Sequence, residues 1–282
     1  PALMLTHRII SSVAFFALFF LGLFHPWFFW ALPSLVVLAT VTGLYEFMNF
    51  GHHRPPREQM ALAMVSALTL LADAYYNDLD HALVIMGLQT VIGLAFGTFR
   101  LERNFIEIAG KCLIGTLYVT LPLALIVAIW RAAVAGDPDN GEHYLIFLVL
   151  VTQASDIGAY FTGRAIGRHK LAPRLSPGKT IEGFIGGIAF TFALAAAFKI
   201  FWNNMDRIFG WGDIVALSLL FATIGPIGDL TESWFKRNSA IKDSGRTFTG
   251  HGGMLDIIDS LLFTTIFYYV YLWLFHADVL VH

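Results

Sequence analysis

The chain has 282 residues, 57% of them hydrophobic and 13% charged, with a mean hydropathy of +0.67. A water-soluble domain carries about a quarter charged residues, so half that share beside 26 Phe and 7 Trp excludes a soluble globular fold and calls for lipid as solvent. The net charge of −2 gives no sign of a nucleic-acid partner, and a single cysteine, Cys112, excludes a disulfide framework or a cysteine metal site.

About twenty apolar residues cross the hydrocarbon core as a helix. Apolar runs predict an all-α, polytopic membrane protein with about nine spans, at 9–24, 27–50, 60–76, 82–98, 112–130, 144–163, 182–202, 213–230 and 257–275. The first run lacks a small-residue cleavage site and leads straight into the second, so it reads as a retained span rather than a signal peptide. Cys112 reads as a buried helix residue. With the N-terminus inside, the inside segments hold fifteen of the 18 Lys and Arg, the outside segments only Arg131 and Arg207, and one span contains Lys199. The outside loops are acidic, with Asp78, Asp80, Asp137 and Asp139. Basic residues stay on the cytoplasmic side, so this asymmetry predicts a multi-pass protein of the cell membrane, the inner membrane of a bacterium. Two inside loops, 164–180 and 231–253, are too long and too charged to be plain connectors. Residues 1–140 read as helices for packing and lipid access, and 141–282 as a catalytic half.

Four stretches carry the chemistry. Asp156 lies inside the sixth span, where a charge costs roughly 2.5–3.5 kcal/mol. It must face a polar cavity or a cation, or make a structural hydrogen bond between helices. Ser176-Pro177-Gly178-Lys179-Thr180 suggests a phosphate loop, but Pro173 stands where that motif needs its first glycine and no strand precedes it. Lys179 can still hold a phosphate as a point charge.

If the eighth span continues past Gly228, then Asp229, Glu232, Ser233, Lys236 and Arg237 fall on one helical face. They serve either as a site or as a helix end whose acids and bases pair with each other. Lys242-Asp243 follows, and then Gly250-His251-Gly252-Gly253-Met254-Leu255-Asp256-Ile257-Ile258-Asp259. The glycines leave backbone N–H groups to face an anion at the start of the ninth helix. The alternative is a capping loop with an acid in the first turn. Acids at two helix ends can share divalent cations, while Lys, Arg and a glycine nest hold phosphates. Mg²⁺ suits a few carboxylates plus substrate phosphate oxygens. The implied reaction is metal-assisted phosphoryl or nucleotidyl transfer next to lipid.

The run Ser233 to Asp259, in the order Ser-x-x-Lys-Arg, Lys-Asp, His-Gly-Gly-x-x-Asp and a final Asp, resembles the signature of the phosphatidate cytidylyltransferases. Asp156 to Tyr160, His169 to Pro173 and Ser176 to Thr180 are similar to that family too. The resemblance covers roughly the C-terminal half, and departs from the family at Ile257, where Arg is usual. It implies that CTP and phosphatidate, met at the bilayer, give CDP-diacylglycerol and pyrophosphate. It further implies Asp229 and Asp256 as ligands of Mg²⁺, with room for a second ion, and Asp259 and Glu232 in support. Lys236, Arg237, Lys242 and Lys179 then hold phosphates, with Asp243 among the catalytic groups. Asp156, Ser176, Ser233, His251, Gly252 and Gly253 shape the substrate pocket. A homodimer is an allowed assembly. The rival readings are a CTP-dependent lipid kinase and a transporter. The absence of an inverted repeat and the concentration of charge on one side stand against the transporter.

Overall fold

Without water to serve the backbone, an apolar run in lipid must satisfy its own N–H and C=O groups, and it does so as a helix. The computed structural model describes residues 30–51, 54–100, 104–136, 141–202, 205–241, 244–245 and 252–280. Helices run over Ala31–Met48 (α1), Arg57–Tyr76 (α2), Ala82–Arg100 (α3), Phe105–Gly115 (α4), Leu121–Gly136 (α5), Gly141–Ile166 (α6), Ile181–Phe201 (α7), Met205–Ile208 (α8), Trp211–Asn238 (α9), Leu255–Phe275 (α10) and Ala277–Leu280 (α11). Two short strands, Lys170–Ala172 (β1) and Ser176–Thr180 (β2), pair antiparallel between α6 and α7.

Among the described residues, seven helices are long and apolar enough to cross a bilayer. The expected span 9–24 lies outside the described residues. The span expected at 60–76 is α2, a helix of twenty residues that is not one of the seven. The expected connector at 100–111 turns helical from Phe105, and α4 runs through a π-helical turn at Thr116–Thr120 into α5.

The chain divides into two compact units, one holding the described residues up to Arg131 together with 238–257, the other holding 132–237 and 258–280. In the first, Gln89 on α3 donates to the Thr116 hydroxyl at 2.9 Å and to the Cys112 carbonyl at 3.2 Å. A polar bond between helices in an apolar surround fixes their register. Cys112 is buried, as expected. The outer face of α3 presents Leu83, Val84, Leu88 and Val91, all exposed, as a lipid-facing side does.

In the second unit, small residues let α6 and α7 pack closely: a Cβ on Gly158 would collide with Phe190, and one on Gly186 with Thr162. Phe147, Phe209, Phe221 and Tyr268 form an aromatic core, with Phe147 and Phe209 ring centres 5.0 Å apart. Asp213 accepts bonds from Tyr271 Oη at 2.5 Å and Gly210 N at 2.7 Å, tying α9 to α10 at one end.

Two of the expected loops differ in the structure, the first by adding strands to the all-α expectation. The loop expected at 164–180 is a helix end plus the β1–β2 hairpin. Glu182, in the first turn of α7, accepts bonds from Arg168 N at 3.0 Å and His169 Nδ1 at 2.6 Å, and so pins the start of the hairpin. The loop expected at 231–253 begins only after Asn238, because α9 continues through Thr231–Arg237, a stretch without Gly or Pro. The Glu232–Lys236 pair, four residues apart, supports that last turn.

Candidate functional site

The second unit gathers three carboxylates. Oxygens of Asp229 and Glu232 on α9 and of Asp259 on α10 lie within 4.8 Å of one another. Gly228 permits this meeting of helices, since a Cβ there would strike the backbone of Asp259 and Ser260. Two ammonium groups partner the acids: Lys179 Nζ is 2.7 Å from Asp229 Oδ2, and Lys236 Nζ is 2.7 Å from Glu232 Oε2. The Ser233 hydroxyl reaches Asp229 Oδ1 at 3.4 Å, and Ser260 N donates to Asp259 Oδ1 at 2.6 Å. Glu232 is fully buried.

Lys179 stands on β2, two residues before α7. Thr180 accepts from Gly183 N at 3.1 Å and so caps that helix. The Gly-Lys-Thr sequence therefore ends a hairpin and starts a helix. Lys179 also donates to the carbonyl of Pro226 at 3.2 Å, beside the proline inside α9. A cavity of about 590 Å³ opens here, lined by Asp156, Tyr160, Arg164, Ser176, Lys179 and Asp229 among others. Asp156, expected to face a polar cavity or a cation, lines this cavity with Lys179. Arg237 is exposed.

The first unit holds the remaining motif residues. Asp256 Oδ2 accepts three bonds, from Ser244 N at 3.0 Å, Ser244 Oγ at 2.8 Å and Gly253 N at 2.8 Å. Gly252 has φ of +96°, a left-handed conformation suited to glycine. Met254 N and Leu255 N each donate to Glu46 at 3.0 Å. The N–H groups of Gly253, Met254 and Leu255 at the start of α10 are thus taken by carboxylates of the chain itself. The capping alternative accounts for Gly253, Met254 and Leu255. Lys242, Asp243 and His251 lie outside the described residues.

Sequence reasoning passed over Glu46. A signal existed: it is the lone acid in the apolar run 27–50, and an ionisable residue in a span rarely lacks a purpose. No local pattern named its partners, which lie about two hundred residues away in sequence.

The donor set of the second unit fits Mg²⁺. Its ligands would be hard carboxylate oxygens. Mg²⁺ takes a few such oxygens together with substrate phosphates, and three acids whose oxygens gather within 4.8 Å would supply them. Two lysines offset part of their charge and leave the cluster net negative, as a cation site needs.

Comparison with known proteins points the same way. A model of the cytidylyltransferase family matches residues 6–275. A phosphatidate cytidylyltransferase of Haemophilus influenzae is 49% identical over 129 residues, which cover 44% of this chain and 44% of that protein. One of Staphylococcus saprophyticus is 34% identical over 208 residues, 71% of this chain and 75% of that protein. One of Staphylococcus aureus is 43% identical over 125 residues, 44% of this chain and 46% of that protein. The matches to the first and third thus span under half the length of those relatives.

Proposed function

Because the chain belongs to the cytidylyltransferase family, we propose that it is a membrane-embedded phosphatidate cytidylyltransferase, turning CTP and phosphatidate into CDP-diacylglycerol and pyrophosphate. The observation that carries this reading is the Asp229–Lys179 pair in the wall of a cavity within an apolar helical frame. It sets a carboxylate cluster and a phosphate-binding cation side by side, next to lipid.

An oxygen of the lipid phosphate attacks the α-phosphorus of CTP. The new P–O bond forms as the bond between the α-phosphorus and its bridging oxygen breaks, and the electron pair leaves with pyrophosphate. The attacking oxygen is already ionised, so no strong general base is required. Asp229, Glu232 and Asp259 would hold Mg²⁺; for Asp256 the family resemblance implies a metal-directed role of its own. Bound there, the ion supplies neutralisation of the charge that develops on the phosphates. Lys179 and Ser176 hold phosphate oxygens in the cavity, and Asp156 faces them. Lys236 pairs with Glu232 and holds it in place. Gly228 holds α9 against α10.

Incubation of the purified chain with labelled CTP, phosphatidate and Mg²⁺ is expected to put label into the lipid fraction and release pyrophosphate. Release of CDP with phosphorylation of an alcohol lipid would assign a kinase instead, and absence of any lipid-linked label would overturn the reading.

The same proposal sets the protein in the cell membrane, with about nine spans and the site on the cytoplasmic face. The support is the distribution of Lys and Arg, fifteen inside against two outside. Since Cys112 is buried, introduced cysteines can be read against a quiet background. Asp139→Cys is expected to react with a membrane-impermeant maleimide from outside intact cells, and Arg168→Cys only after the cytoplasmic face is opened. The reverse pattern would reject the orientation.

A further inference from the structure

Glu46 belongs to the last turn of α1 and is only 4% exposed. Both of its oxygens are engaged by the start of α10: Met254 N donates to Oε1 and Leu255 N to Oε2, each at 3.0 Å. A buried carboxylate at a helix amino end is well placed, because the first turn leaves N–H groups without helical partners and carries partial positive charge. A third contact extends the arrangement. Ser244 Oγ lies 3.2 Å from Glu46 Oε2 and 2.8 Å from Asp256 Oδ2. A hydroxyl has one hydrogen, and it serves the nearer acceptor, Asp256. Ser244 N and Gly253 N donate to the same Asp256 oxygen. Gly253 fits only without a side chain, since a Cβ would run into Ser244 Oγ and the Glu46 carboxylate.

Among the described residues, Ser244 and Gly253, which bond Asp256, both pack on the Glu46 carboxylate. We propose that Glu46 is a positioning residue: by bonding residues 254–255 and packing against Ser244 and Gly253 it fixes the carboxylate of Asp256 for metal binding. This rests on the reading of Asp256 as a metal-directed acid. Supporting groups one step removed from a metal commonly change affinity or activity by about 10–100-fold when altered.

Glu46→Gln tests it in the full-length chain. The amide offers one acceptor oxygen where two N–H groups converge, and its NH₂ faces a donor. Ser244→Ala is the milder second variant, and Ser244→Thr keeps the hydroxyl. Binding of Mn²⁺ alone, followed by the loss of its free-ion paramagnetic resonance signal, is read beside the Mg²⁺ dependence of CMP transfer to phosphatidate. Glu46→Gln is expected to weaken Mn²⁺ binding about tenfold and to raise half-saturating Mg²⁺ by a similar factor. The KM for CTP should stay within about twofold. Ser244→Ala is expected to shift both readings the same way, and Ser244→Thr to restore them. The double variant is expected to be no weaker than Glu46→Gln alone, because the two residues act on one target. Should Glu46→Gln fail to fold, the Ser244 pair decides. Unchanged Mn²⁺ affinity in Ser244→Ala, or strict additivity in the double variant, overturns the inference. A parent chain that binds Mn²⁺ but transfers no CMP to lipid overturns the substrate reading instead and leaves the positioning role standing.

Discussion

The Asp229→Asn and Asp259→Asn chains are expected to insert and purify like the parent and to lose CMP transfer to phosphatidate by roughly a thousandfold or more, as when several kcal/mol of charge stabilisation disappears. Each change keeps side-chain size and removes one negative charge from a group of three whose oxygens lie within 4.8 Å. Like charges this close repel, so neutralising one does not weaken the fold by electrostatics. Asp259→Asn is expected to melt at or above the parent temperature when no divalent cation is present. Asp229→Asn also releases Lys179 from its 2.7 Å pair, but both side chains are partly exposed, at 21% and 33%, and solvent takes up much of the difference. Stability and activity therefore move independently. EDTA should silence the parent enzyme, and Mg²⁺ should restore it, whereas Mg²⁺ at any concentration should leave Asp229→Asn inactive. Parent-like rates in both variants at saturating Mg²⁺ would reduce the three acids to structural pairs and remove the basis of the proposed mechanism.

The apolar runs made most helices legible, because length and hydrophobicity alone decide whether a segment belongs in lipid. Helix ends were less legible. Nothing in Lys170 to Thr180 alternates like a strand, and Pro173 and Pro177 argue against one. The hairpin is held from outside its own sequence, by Glu182 on the following helix. The continuation of α9 through Lys236 was readable as a conditional, since its acids and bases repeat at helical spacing. The gathering of Asp229 and Glu232 follows from that spacing, but the arrival of Asp259 depends on Gly228 admitting α10, a fact of packing. The start of α10 was the least legible part. Its glycines look like a nest for a bound anion, yet Gly253 N meets Asp256 and the next two N–H groups meet Glu46. Glu46 comes from α1, in a half of the sequence that offers little beyond hydrophobicity. Local pattern reveals which backbone groups need a partner, and only the tertiary fold reveals which side chain supplies it.

Lys236 illustrates the same point, and its replacement gives the second large effect. The sequence presents it as a phosphate ligand, yet its ammonium group sits 2.7 Å from Glu232, whose side chain is 0% exposed, and Lys236 itself is 14% exposed. Removing one member of a buried ion pair leaves the other charge without compensation and costs about 3–5 kcal/mol. Lys236→Ala is therefore expected to lower the melting temperature of the detergent-purified chain sharply in EDTA. Mg²⁺ should recover part of the loss, because a cation bound among Asp229, Glu232 and Asp259 replaces the missing positive charge and stabilises the state that binds it. The double variant Glu232→Gln with Lys236→Ala removes both charges, so it should melt above Lys236→Ala while remaining impaired in CMP transfer. Lys179→Ala serves as the contrast. Its pair with Asp229 is more exposed and lines the cavity, so its melting temperature should change little while the KM for CTP rises. If Lys236→Ala melts with the parent in EDTA and instead raises the KM for CTP, then Lys236 meets the nucleotide directly and Glu232 does not depend on it.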